Sequence, residues 1–320
     1  MKKIGVITSG GDAPGMNAAI RAVVRAAIGR GAEVLGFMHG YEGLMKNERI
    51  QLESVSVGGI ISRGGTLLRT ARCPAFREKE GRDVAVETLR KNGVEGLVVI
   101  GGDGSLTGAL ALHNEYGIRV VGIPGSIDND ISGTDFSIGF DTAVNTAVEA
   151  IDRVRDTAYS HERVFVIEVM GRSNGFIAVE AGLASGAEAI LIPEVPYSIL
   201  EVCDGIRAAA TKGKLSSLVI VAEGAAKAAD IKVFLEKNTG FEARYLVLGH
   251  MQRGGSPTAF DRVLSLRLGA YAANRLIDGN SGEMVGVDGS RLVAHPLDYV
   301  LHTERTVDPD KLLLASVMAQ

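Results

Sequence analysis

Short apolar runs that end in glycine or a polar turn recur along the whole chain. Ile4–Ile7, Glu33–Phe37, Leu97–Ile100, Val120–Ile123, Val164–Val169, Ala189–Ile192, Leu218–Val221 and Tyr245–Leu248 each predict a strand. Between them lie segments with helical spacing. Asn17–Ile28 sets Ile20, Val23, Val24 and Ala27 on one face, with Arg21 and Arg25 four apart on another. Phe140–Arg155 lines up Ala143, Ala147, Ile151 and Val154 at intervals of three and four. Strands that alternate with helices predict parallel sheets covered on both faces. The fold class expected is therefore α/β, as two Rossmann-like three-layer domains with mainly parallel sheets. The long helix from about Phe140 is the expected crossing between them.

A length of 320 residues leaves room for about two such cores. Apolar residues make up 46 % and charged residues 22 %, which excludes a disordered chain. Trp is absent and aromatics are few, so Val, Ile, Leu and Ala must build the interior. The net charge of −4 argues against a nucleic-acid surface and against a basic membrane-binding face. Cys73 and Cys203 are too few for a disulfide framework or a metal cluster. Met-Lys-Lys-Ile-Gly-Val-Ile runs straight into a strand, with neither a signal peptide nor a membrane span in prospect, so a cytoplasmic protein is expected.

The chemistry lies where strands end. Ser9-Gly10-Gly11-Asp12-Ala13-Pro14-Gly15-Met16-Asn17 follows the first strand and opens a helix. It reads either as a phosphate-binding turn or as an ordinary strand-to-helix connection. Gly101-Gly102-Asp103-Gly104-Ser105 is more specific, because an acid sits inside a turn with more backbone freedom than a helix cap needs. In Ser126-Ile127-Asp128-Asn129-Asp130, two aspartates two residues apart share one face of an extended segment. One can hold a metal while the other takes a proton from a hydroxyl; the alternative is a solvated acidic loop. Backbone N–H groups at such turns cradle anions. A phosphate cradle with acids inside it points to Mg-dependent phosphoryl transfer. Met170-Gly171-Arg172 and His250-Met251-Gln252-Arg253-Gly254-Gly255 also follow strands, which draws their basic residues toward a site. No P-loop and no protein-kinase signature is present, and Gly102-x-Gly104-x-x-x-Gly108 is one residue too long for a dinucleotide fingerprint.

Taken in order, these motifs closely resemble those of bacterial ATP-dependent 6-phosphofructokinases, from Ile4 to about Ala294. The resemblance implies an ATP-binding domain over 1–139 plus 251–300 and a fructose 6-phosphate-binding domain over 140–250 plus 301–320. Gly11, Arg72, Cys73, Gly102, Asp103, Gly104 and Ser105 would contact ATP, with Asp103 on Mg²⁺ and Asp130 supporting the metal. Asp128 would be the base for the sugar 1-hydroxyl, beside Ser126, and Arg172 would stabilise the transferring phosphoryl group. Fructose 6-phosphate would be held by Ser126, Asp128, Met170, Gly171, Arg172, Glu223, His250 and Arg253, with Arg163 and Arg244 reaching in from a neighbouring subunit. A homotetramer is implied, with ADP or phosphoenolpyruvate as effectors at Arg21, Arg25, Arg155, Gly186, Glu188, Lys212 and Lys214.

Some positions depart from the family pattern. Ser126 stands where Thr is usual, and Ser173-Asn174-Gly175-Phe176 replaces a commoner His-Ala-Gly. Gly59 and Ser54 lie where some relatives carry Asp and Arg. Pyrophosphate-dependent relatives tend to carry Asp at the position of Gly104 and Lys at that of Gly125, so ATP is the expected donor. NAD kinases and lipid kinases share only the Gly-Gly-Asp-Gly turn. A sensor that binds nucleotide without turnover has no need of Asp103, Asp128 and Arg172 together.

Overall fold

All eight apolar runs form strands in the structure, a computed structural model that describes residues 1–318. In chain order the strands are β1 (Lys3–Ser9), β2 (Glu33–Phe37), β3 (Arg49–Leu52), β4 (Gly96–Gly101), β5 (Arg119–Pro124), β6 (Val164–Val169), β7 (Ala189–Leu191), β8 (Ser217–Ala222), β9 (Ala243–Val247), β10 (Glu283–Asp288) and β11 (Arg291–Pro296). The last of the predicted runs begins two residues earlier than read, at Ala243. Three further strands, β3, β10 and β11, lie outside the predicted runs. In β3, three of the four residues are exposed, and β11 is only half-buried, so neither shows a continuous apolar run. β10 pairs antiparallel with β11, as β2 does with β3.

The strands form two sheets. The seven-stranded one has the order β11-β10-β5-β4-β1-β2-β3, and the four-stranded one β7-β8-β6-β9. Every other pairing is parallel. Each residue of β4 and of β8 is buried, as expected where helices cover both faces. The helix Met16–Gly29 buries Ile20, Val23, Val24 and Ala27 as its spacing predicts, and Ala143, Ala147 and Ile151 are buried in the helix Phe140–His161.

By its internal contacts the chain divides into two units. One comprises Met1–Ile127, Ile131–Thr142 and Arg253–Arg305 and holds the larger sheet. The other comprises Asp128–Asp130, Ala143–Gln252 and the described residues from Thr306 onward, and holds the smaller. The changeovers at 142/143, 252/253 and 305/306 fall a few residues beyond the expected 139/140, 250/251 and 300/301, and Asp128–Asp130, expected in the first domain, group with the second unit. Residues 319 and 320, the end of the second expected domain, lie outside the described residues.

Register puts the strand ends in line. Ser9 pairs with Gly101 and Gly101 with Pro124, so the turns after β1, β4 and β5 leave the first sheet side by side. In the second sheet Val169 pairs with Ala222, and Glu168 with Val247. The segments after β6, β8 and β9 therefore also leave together. Ligands of parallel α/β sheets bind at such carboxyl edges.

Candidate active site

In the first unit the glycine turns are built against specific neighbours. A Cβ on Gly11 would fall 1.9 Å from Arg253 Nη2, so the guanidinium lies directly over the bare backbone. Arg253 Nη2 also stands 3.6 Å from Asp12 Oδ1. Arg253, grouped with His250 by the sequence, thus belongs to the unit of the first glycine turn. Thr70 donates its hydroxyl to the Gly10 carbonyl at 2.7 Å. Arg72 is exposed, and Cys73 is half-buried with Sγ 3.6 Å from Met45 Sδ.

The helix Asp103–Tyr116 starts at the second turn, with Asp103 and Gly104 exposed and Ser105 buried. An acid in the first turn is favoured by the helix dipole, and a helix N-terminus also suits an anion. Tyr41 anchors this end from below: its hydroxyl donates to the Ser105 carbonyl at 2.6 Å, and its ring stacks on Phe76 at 3.9 Å. Burial pushes the Tyr41 phenol far above its ordinary range, so it stays a neutral donor. The sequence offered no signal for Tyr41.

Ser126 is fixed by its backbone. Its N–H donates to the Ile138 carbonyl at 3.2 Å, and the Ser137 hydroxyl donates to the Ser126 carbonyl at 2.6 Å. Asp261 in turn holds the stretch that does this. It is fully buried and accepts from Gly139 N–H at 2.9 Å, from Thr142 N–H at 2.8 Å and from the Thr142 hydroxyl. Burial raises the Asp261 carboxyl above the usual range, against the lowering effect of those hydrogen bonds. Sequence reasoning missed Asp261, which lies 122 residues from Gly139.

In the second unit the turn after β6 carries Met170, Gly171 and Arg172. Gly171 has φ +147°, and a Cβ there would come within 2.5 Å of the Asn174 carbonyl, so only glycine fits. Arg172 follows at φ +54°, in the left-handed region although it has a side chain. Glu223, at the end of β8, holds both residues: its Oε1 accepts from Gly171 N–H at 3.2 Å and from Arg172 N–H at 2.8 Å. Arg172 Nε then meets Asp128 Oδ2 at 3.2 Å. The Asp128 side chain is only 7 % exposed while that of Arg172 is 61 % exposed, so a buried carboxylate is paired with a cation that faces outward. Asn129, next to Asp128, is also left-handed at φ +54°. Such backbone strain concentrates at working sites. Asp130 is half-buried, and His250 is exposed in the short turn Gly249–Arg253.

The phosphofructokinase family model matches residues 3–276. The chain belongs to the phosphofructokinase family. An ATP-dependent 6-phosphofructokinase of Thermotoga neapolitana is 52 % identical over 319 residues, covering 100 % of both chains. The phosphofructokinase structure from Saccharomyces cerevisiae superposes with a TM-score of 0.87 at 38 % identity, over 94 % of this chain and 45 % of that one. A pyrophosphate-dependent phosphofructokinase of Marinobacter aquaeolei, at 22 % identity, covers 96 % of this chain and 86 % of its own with a TM-score of 0.84. That likeness extends to the fold alone.

The remaining residues singled out by the family resemblance fall in two groups. Arg163 and Arg244 both pair with Glu242, the first through Nε at 2.9 Å, which holds the Glu242 carboxyl below its usual range. In the first unit Arg21 donates to the Val57 carbonyl at 2.8 Å and Arg25 is exposed. In the second, Glu188 pairs with Lys214 at 2.6 Å, Gly186 is left-handed at φ +59°, Lys212 ends the helix Ile199–Thr211, and Arg155 Nη2 is buried without a hydrogen-bond partner. The departing segment is held by Glu194, whose Oε1 accepts from Gly175 N–H at 2.8 Å.

Mg²⁺ commonly takes one or two carboxylate oxygens, with phosphate and water supplying the rest; the carboxylates of Asp103, exposed in the first unit, and of Asp130, half-buried in the second, are each donors of that hard-oxygen class. No group of three or more His, Cys, Asp or Glu gathers as a metal cage among the described residues. No helix among them is long and apolar enough to cross a membrane.

Proposed function

We propose that this chain transfers the γ-phosphoryl group of ATP to the 1-hydroxyl of fructose 6-phosphate, giving fructose 1,6-bisphosphate and ADP in glycolysis. The observation that carries the reading is the Asp128–Arg172 pair, a buried carboxylate 3.2 Å from an outward-facing guanidinium on a strained turn. Asp128 accepts the proton of the sugar hydroxyl, and Arg172 spreads the negative charge of the phosphoryl group in flight. Positioning and charge stabilisation of this kind are most of what phosphoryl transfer needs. Gly11, Arg72, Cys73 and Gly102–Ser105 hold ATP. Ser126, Met170, Gly171, Glu223, His250 and Arg253 hold the sugar phosphate. Glu223 acts at least partly by fixing the amides of Gly171 and Arg172. Asp103, supported by Asp130, holds Mg²⁺, which when bound neutralises phosphate charge.

ATP is the donor because the space beside Gly104 is open, with no atom within 4 Å of a Cβ built there. A coupled assay with ATP or pyrophosphate and fructose 6-phosphate tests this. Faster turnover with pyrophosphate would refute it.

The working form is a cytoplasmic homotetramer in which Arg163 and Arg244 reach the 6-phosphate bound to a neighbouring subunit. Their common pairing with Glu242 keeps the two cations together, as a phosphate site requires. Subunits carrying Arg163→Ser mixed with subunits carrying Asp128→Asn are expected to regain part of the activity, because some hybrid sites are complete. Verified hybrids without recovery would contradict a shared site.

ADP or phosphoenolpyruvate acts at the second anion site formed by Arg21, Arg25, Arg155, Gly186, Glu188, Lys212 and Lys214. Exposed Arg25 is the clearest probe. Arg25→Ala is expected to abolish the response to either effector while leaving turnover at saturating fructose 6-phosphate nearly unchanged. An unaltered enzyme indifferent to both ligands would show the site to be vestigial.

A further inference from the structure

The segments that leave β6, β8 and β9 emerge together, with β6 in the middle. β6 ends at Val169, so the next three amides must find partners outside the ladder. Glu223, just after β8, accepts from two of them, Gly171 and Arg172. The third, Met170 N–H, donates to Gln252 Oε1 at 2.8 Å. Gln252 comes from the other side, in the short turn after β9 and two residues beyond His250.

Several features separate Gln252 from a residue kept for packing. It is fully buried, yet polar. Because a backbone N–H can only donate, the orientation of the side-chain amide is settled: the oxygen faces Met170. The other end, Nε2, is then a buried donor with no hydrogen-bond partner. Leaving such a donor unpaired is costly, and an apolar side chain of the same size would avoid the cost. What Gln252 supplies that an apolar residue cannot is the acceptor for Met170. The turn it restrains needs restraint, since Gly171 and Arg172 both adopt positive φ.

We propose that Gln252 is a positioning residue for recognition of the phosphorylated sugar, acting through the Met170 amide; this rests on the reading that Met170–Arg172 and His250 face that substrate. Glu223 and Gln252 grip the turn from its two flanks. Gln252 also ties the turn to the His250 segment, so the two contact surfaces keep one fixed spacing. Loss of the acceptor frees Met170 and lets both surfaces drift.

The test is Gln252→Met, which keeps the volume and removes the acceptor. The KM for fructose 6-phosphate is expected to rise about 10-fold, the worth of one hydrogen bond to a buried backbone donor, while the KM for ATP stays within about twofold. Equal changes in both constants, or none in either, would overturn the proposal. If the variant does not fold, hydrogen exchange on the unaltered protein decides. The Met170 amide lies beyond the end of its strand and is expected to be protected all the same; exchange at the rate of an exposed loop amide would overturn the assignment. Absence of turnover in the unaltered protein would instead sink the functional reading and leave the exchange result standing.

Discussion

Replacing Asp128 by Asn is expected to lower kcat by about 10²–10⁴-fold, the usual contribution of a positioned general base. Asn has nearly the same shape, and its side-chain oxygen can still accept from Arg172 Nε, which now stands 3.2 Å from Asp128 Oδ2. The turn and its left-handed Arg172 should therefore persist, and the KM for both substrates should change little. The lost property is the ability to take the hydroxyl proton. Steady-state kinetics together with a thermal melt separate this from a folding defect. Turnover near that of the unaltered chain would remove Asp128 from the mechanism.

Gly104→Asp should cripple the use of ATP without unfolding the protein. A Cβ at Gly104 meets nothing within 4 Å, and the position lies in the first turn of the helix Asp103–Tyr116, where an acid is well tolerated. The fold gives no reason for the substitution to fail. A second carboxylate beside Asp103 does, because at the proposed ATP site it would face the phosphates of the donor. Juxtaposing like charges in a binding site costs several kcal/mol, so kcat/KM for ATP should fall roughly 100-fold or more. An unchanged melting temperature with that loss places the effect at the donor site. Unchanged ATP kinetics would mean that the nucleotide lies elsewhere.

The strands and turns on which both expectations stand were legible because each is encoded locally. Leu97–Ile100 is apolar at every position since β4 is buried on both faces, and the glycines after it mark where the backbone turns. The edge strands β3 and β11 were not legible, because a half-exposed strand has no continuous apolar run. At the candidate site, the turns and their charged residues could be read, but the side chains that hold them could not. Tyr41 supports Ser105 from 64 residues away, Gln252 supports Met170 from 82, and Asp261 supports Gly139 from 122. In the sequence each looks like an ordinary member of a helix or turn. Arg253 shows the same limit from the other side. Its neighbours in sequence place it with His250, whereas the contact that defines it is the bare backbone of Gly11.

Phosphorus is expected to move from ATP to one particular hydroxyl of fructose 6-phosphate. This transfer is tested most directly by incubating the enzyme with ATP labelled at the γ-phosphate and fructose 6-phosphate, then locating the label in the product by phosphorus NMR and selective hydrolysis. Label is expected at carbon 1 of fructose 1,6-bisphosphate, one equivalent for each ADP formed, with at least a 10²-fold slower appearance with Asp128→Asn. Label released as inorganic phosphate, or found on any other position of the sugar, would contradict that transfer.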